Sequence, residues 1–134
     1  MKRYNSVLMV LLVLMFSVSL ASAAFDIPHQ VYRIDQSQQA MEQARNDNKQ
    51  IVFFYSNKDT NCPLASRASI SIMQRSKYNA VIVYVGREGW AKAPRIVREA
   101  INSPEAGRFI PKTIVVDSGI TKVLSIIPYE KAGK

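Results

Sequence analysis

One cysteine, one histidine and one tryptophan stand among 134 residues. A lone thiol cannot close an internal disulfide, complete a Cys-x-x-Cys redox pair or supply a four-ligand zinc cluster. His29 has no partners at a spacing that would assemble a Ser-His-Asp set or a metal centre. Asp117 and Glu99 read as a turn residue and a helix-surface residue, so no pair of carboxylates is set up for acid–base work. No metal and no cofactor is therefore expected. With five glycines, six prolines and 48% hydrophobic residues, the chain is neither collagen-like nor low in complexity. Internal repeats and linkers are also missing, which leaves one compact domain.

What is present begins with the N-terminal residues. Lys2 and Arg3 precede an apolar stretch from Val7 to Phe16 that continues through Val18 and Leu20, and Ala21-Ser22-Ala23 supplies a small-residue cleavage pattern. The apolar run is about 14 residues, short of the roughly 20 that a spanning helix needs. Residues 1–23 are thus expected to be a signal peptide, and the mature form is not expected to span a membrane. Removing 23 of the 134 residues leaves 111, and the loss of Lys2 and Arg3 lowers the formal charge from +8 to +6. A chain of this size buries somewhat over 60% of its unfolded surface, enough for a core without disulfides. Export would place it outside the cell, or in the periplasm of a Gram-negative bacterium, where nucleic acid is not an expected partner.

Along the remaining residues the hydrophobic period alternates. Val31 to Ile34 is a short apolar piece. Asp35 and Ser37 offer helix caps before Ala40, Met41 and Ala44, whose spacing predicts a helix ending near Asn48. Ile51 to Tyr55 is an unbroken β-branched and aromatic run, the pattern of a strand covered on both faces. Next comes a polar loop, and then Cys62-Pro63. Proline suits a first helical position, so Cys62 becomes the N-cap of a helix with Leu64, Ala65, Ala68, Ile72 and Met73 on one face. Val81 to Val85 is a second buried strand. Ile96, Val97, Ala100 and Ile101 mark another helix, and Ser103-Pro104-Glu105 a short one. Thr113 to Val116 and Val123 to Ile127 read as a hairpin joined by Asp117-Ser118-Gly119. The order is that of an α/β sandwich with a mixed sheet, its separated central strands parallel and its last two antiparallel.

Three of these features occur together: a strand from Ile51 to Tyr55 that enters a loop whose Cys62 opens a helix, Ile110-Pro111 followed by Thr113 ahead of the penultimate strand, and the closing strand-turn-strand from Thr113 to Ile127. In them residues 24–134 resemble the thioredoxin-like superfamily. The resemblance implies a three-layer sandwich with a central mixed β-sheet flanked by helices, and a cis peptide bond at Pro111 next to the site cysteine. It also marks a departure, because the family's paired cysteines are reduced to one. Aligned without a gap, Cys62 falls on the second cysteine and Asp59 on the first. With three more loop residues, Cys62 falls on the first and Ala65 replaces the second.

A thiol at a helix N-terminus faces unpaired N–H groups that favour the thiolate as a nucleophile. Lys58 would assist this and Asp59 oppose it, and the Ile110-Pro111 segment would offer backbone groups to an extended peptide. Two function classes follow. The first is a protein-binding or assembly module that keeps the fold without the dithiol. The second is a monothiol redox protein that forms mixed disulfides through Cys62. The partner would be another exported protein or a thiol compound. A dithiol oxidoreductase is excluded, since a single thiolate has no second thiol to resolve its mixed disulfide. Arg87, Lys92, Arg95 and Arg98 surround Trp90 as a basic cluster able to bind an anion, or else to form a solvated helix side.

Overall fold

A computed structural model of the chain describes residues 23–132. The signal peptide read from the sequence lies outside these residues, apart from Ala23. Five strands form one sheet in the order β1-β3-β2-β4-β5. They are β1 (Tyr32–Arg33), β2 (Gln50–Tyr55), β3 (Ala80–Val85), β4 (Lys112–Val116) and β5 (Val123–Ile127). The first three are parallel, whereas β4 runs antiparallel to β2 and β5 antiparallel to β4. The helices are α1 (Ser37–Asn46), α2 (Pro63–Ser76), α3 (Arg95–Asn102) and a short α4 (Tyr129–Ala132).

Alternation along the strands sends successive side chains to opposite faces. Ile51, Phe53, Val81, Val83, Val85, Ile114 and Val116 meet Ala40 and Ala44 of α1 and Val97, Ala100 and Ile101 of α3. On the other face Val52, Phe54, Ile82 and Tyr84 meet Ile72 and Met73 of α2, together with Phe25 and Val31. Two helices therefore cover the first face, and one helix with the chain's leading segment covers the second.

Several local expectations change. The first strand is only Tyr32–Arg33, because Ile34 to Gln36 turn into a 3-10 helix. Asp35 lies within that turn and does not cap α1. Gln36 Oε1 instead accepts from the Arg33 N–H at 3.0 Å, and the Ser37 hydroxyl donates to the Ile34 carbonyl at 2.6 Å. Helix α1 stops at Asn46, and Asn48 takes a left-handed φ of 53°, a conformation asparagine tolerates. Leu64 does not join the apolar face of α2 but is 64% exposed. Trp90–Lys92 form a 3-10 turn, and Trp90 packs edge-on against Tyr55 with ring centroids 5.7 Å apart. At Gly107 a φ of 72° closes the turn of Pro104–Ala106 and redirects the chain towards Ile110.

Candidate functional site

The C-terminal ends of β2 and β3 and the start of β4 lie at one end of the sheet, since Tyr55 pairs with both Val85 and Lys112. In open α/β sheets this end, where neighbouring strands part to different connections, is where ligands gather. Three segments meet here: residues 56–62, the turn after Val85, and residues 109–111. A cavity of about 180 Å³ lined by Tyr55, Ser56, Asn57, Arg87 and Ile110 joins all three.

Residues 56–62 are held from below. The Tyr84 hydroxyl donates to the Ser56 carbonyl at 3.1 Å and accepts from the Lys58 N–H at 2.8 Å. Burial of this phenol pushes its pKa up to about 12, opposed by the Lys58 N–H bond and assisted by Glu88 and Asp59. The Ser56 and Ser69 hydroxyls, both fully buried, bond at 2.8 Å and fasten the loop to α2. The Phe25 N–H donates to the Lys58 carbonyl at 2.9 Å, tying the leading segment to the same loop.

Cys62 occupies the N-cap of α2 with extended backbone (φ −93°, ψ 111°), and Pro63 is the first helical residue. Its carbonyl accepts the first helical bond from Ser66 at 3.1 Å, and its N–H donates to Thr60 Oγ1, also at 3.1 Å. The thiol is exposed and makes no capping bond, so it does not serve as a packed apolar side chain. Three residues on, Ala65 is buried. Lys58 and Asp59 pair with each other at 3.4 Å, and the Asp59 N–H is held by Asn57 Oδ1 at 3.1 Å. The two loop charges thus offset one another locally.

The Ile110–Pro111 bond is cis. Pro111 is fully buried and Ile110 half-buried, while Phe109 just before them is 61% exposed. Lys112 donates from Nζ to the Ile101 carbonyl at 3.1 Å, near the end of α3, and partial burial holds its pKa below the usual value. The basic residues divide between two places. Arg87 lines the small cavity beside Ile110, whereas Arg95 and Arg98 line a shallow depression of about 540 Å³ with Trp90, Glu99 and Asn102. Arg95 pairs with Glu99 at 2.7 Å, Arg98 reaches the Ala91 carbonyl at 3.4 Å, and Lys92 is exposed.

Sequence reasoning missed Tyr84, Ser56 and Ser69 as positioning residues, and Leu64 and Phe109 as exposed apolar groups. A tyrosine inside the aliphatic run Ala80–Val85 was the available signal for the first. Among the described residues no group of three His, Cys, Asp or Glu side chains could hold a metal, and no helix is long and apolar enough to cross a membrane. No family model, curated protein or solved structure matches this chain.

Proposed function

We propose that the chain is an exported thioredoxin-like protein without the dithiol, and that it acts as a binding or assembly module for another exported protein. An extended apolar segment of the partner would dock at the end of the sheet that carries Cys62 and Pro111. The fold reading is supported by the strand order, the cis bond at Pro111 and a helix capped by Cys62. The functional reading is carried by one observation. Leu64 and Phe109, two of the four large exposed apolar side chains among the described residues, directly follow the Cys62-Pro63 helix start and directly precede the Ile110-Pro111 bond. Exposed apolar side chains on both sides of the Cys62 and Pro111 segments offer apolar contact area to a partner.

The test is a titration of isotope-labelled protein with a cysteine-free extended peptide bearing alternate apolar side chains. Shift changes should centre on Leu64, Phe109 and Ile110, and Leu64→Ser with Phe109→Ser should weaken binding about tenfold or more. Changes confined to other surfaces, or unaltered affinity in the double variant, would remove the proposal. In parallel, dithiothreitol-driven reduction of a protein disulfide should run no faster with the protein than without it. Turnover that Cys62→Ser abolishes would count against a non-enzymatic module.

The exposure of Cys62 favours a second reading, mixed-disulfide formation with a low-molecular-weight disulfide RSSR. The Cys62 thiolate attacks one sulfur, a Cys62–S–S–R bond forms, and the RS–SR bond breaks. RS⁻ leaves with the electron pair, so Cys62 is oxidised and the departing half is reduced. Intact mass after exposure to oxidised glutathione should show one adduct, absent in Cys62→Ser. An unmodified wild-type protein would exclude this route.

A further inference from the structure

The small cavity beside Ile110 has more polar capacity than apolar docking uses. Tyr55 at the end of β2, Ser56 and Asn57 after it, Arg87 in the turn beyond β3 and Ile110 before Pro111 form its wall. At about 180 Å³ it is smaller than the roughly 300–1,000 Å³ of whole small-molecule sites, a size that suits one side chain. Ser56 is fully engaged: its hydroxyl meets Ser69, its N–H the Val85 carbonyl and its carbonyl the Tyr84 hydroxyl. Asn57 and Arg87 are not. Asn57 Oδ1 accepts from the Asp59 N–H, which orients the amide and leaves the Nδ2 hydrogens to donate. Arg87 is exposed, and among the described residues its guanidinium has no hydrogen-bond or ion-pair partner. No Asp or Glu lines the cavity. Of the acids at this end of the sheet, Asp59 pairs with Lys58, Glu88 folds its carboxylate over Gly86 into the space a Cβ there would take, and Glu130 lies against Gly107. A cavity this small, with an unpaired guanidinium and a free amide in its wall, is a receptor for one carboxylate.

Resting on the docking reading above, we propose that the cavity takes an Asp or Glu side chain of the docked segment, so that the partner presents an acidic residue beside its apolar ones. Arg87 supplies the countercharge and the Asn57 amide a hydrogen bond. Arg87 thereby belongs to the peptide site and not to the depression that Trp90, Arg95 and Arg98 line.

Pairs of cysteine-free extended peptides test the assignment. One of each pair carries a Glu beside its apolar side chains and its twin a Gln there, and the position moves along the segment through the series. Titrated into isotope-labelled protein, the best Glu peptide should bind about three- to tenfold more tightly than its twin and shift the Asn57 side-chain amide. This preference should vanish in Arg87→Gln, an exposed position whose change spares the core, and should shrink at high salt. Equal affinity of all twins, with shifts still at Leu64 and Phe109, would overturn the assignment and leave the docking reading intact. A Glu preference that survives Arg87→Gln would put the countercharge elsewhere and also overturn it. No binding by any peptide would end both readings. Free glutarate should bind far more weakly than the Glu peptide; equal affinity with competition at Asn57 would make the cavity a small-anion site, and the proposal would fall.

Discussion

The two faces of the sheet are built from neighbouring residues of the same strands, yet they are finished differently. On the face under α1 and α3, Ile114 and Val116 of β4 are fully buried. On the other face, Val115 between them is only half-buried and Thr113 leaves a hydroxyl unpaired. Along β4 the side chains alternate, but the β4–β5 pairing shifts register between Val115 and Val116. The cause is the covering layer: α3 packs on β4 and β5 of the first face, while α2 sits over β3 and β2 on the second. The first face buries its β4 residues fully, and the second leaves Val115 partly uncovered.

The largest expected effect breaks this comparison most directly. Ile114→Ala should destabilise the domain by about 2–5 kcal/mol, the usual loss for a large buried aliphatic side chain with its cavity. Val115→Ala, one residue along and on the open face, should cost less than about 1.5 kcal/mol, since partly exposed apolar groups lose less transfer energy. Urea unfolding of the two variants gives the answer. Equal losses would mean that the second face is covered in solution.

Tyr84 sharpens the comparison, because its hydroxyl on the open face holds the loop of residues 56–62 from below. Tyr84→Phe leaves the buried Ser56 carbonyl and the Lys58 N–H without this partner and should cost about 1–3 kcal/mol. The phenol also sets an alkaline limit. The unfolded chain ionises this tyrosine near 10, while the folded chain holds the proton to about 12. Stability is therefore full below pH 10 and falls as pH rises from 10 towards 12. Thermal unfolding across that window should show the decline in the wild type and a shallower one in Tyr84→Phe. Identical slopes would detach the loop from Tyr84.

Most of the architecture was legible in the sequence, because unbroken apolar runs such as Ile51–Tyr55 and helical spacings such as Ile96 to Ile101 report burial directly. The start of α2 at Pro63 was legible from the proline itself. The exposure of Leu64 was not, because helical spacing assigns a residue to a stripe but does not say how far the covering layer extends. The same limit hid the partial exposure of Val115, where a strand residue of ordinary pattern meets a missing neighbour. Asp35 misled as a cap because Gln36, a residue further on, reaches back to the Arg33 N–H. The loop residues Lys58 and Asp59 were expected to act on Cys62. Side chains adjacent in sequence can also satisfy each other, and only geometry decides between the two.

The smallest expected effect concerns the turn that holds β5 at the border of the open face. Asp117 accepts from the Thr121 hydroxyl at 2.6 Å, the Thr121 N–H at 2.7 Å and the Lys122 N–H at 2.8 Å. These bonds, the Thr121 hydroxyl foremost and the Lys122 N–H next, hold its carboxyl down to about 2. Because the folded value lies below the unfolded one, the contribution is present above about pH 4 and is lost as pH falls towards 2. Hydrogen exchange at Lys122 and across the β4–β5 pairing should therefore quicken between pH 4 and 2, while β2 and β3 keep their protection. Asp117→Asn can keep the acceptor oxygen but not the charge, so it should show the faster exchange already at neutral pH and lose the acid dependence. Uniform acid loosening of all five strands would instead assign the effect to the sheet as a whole and leave the turn no separate part in shaping the open face.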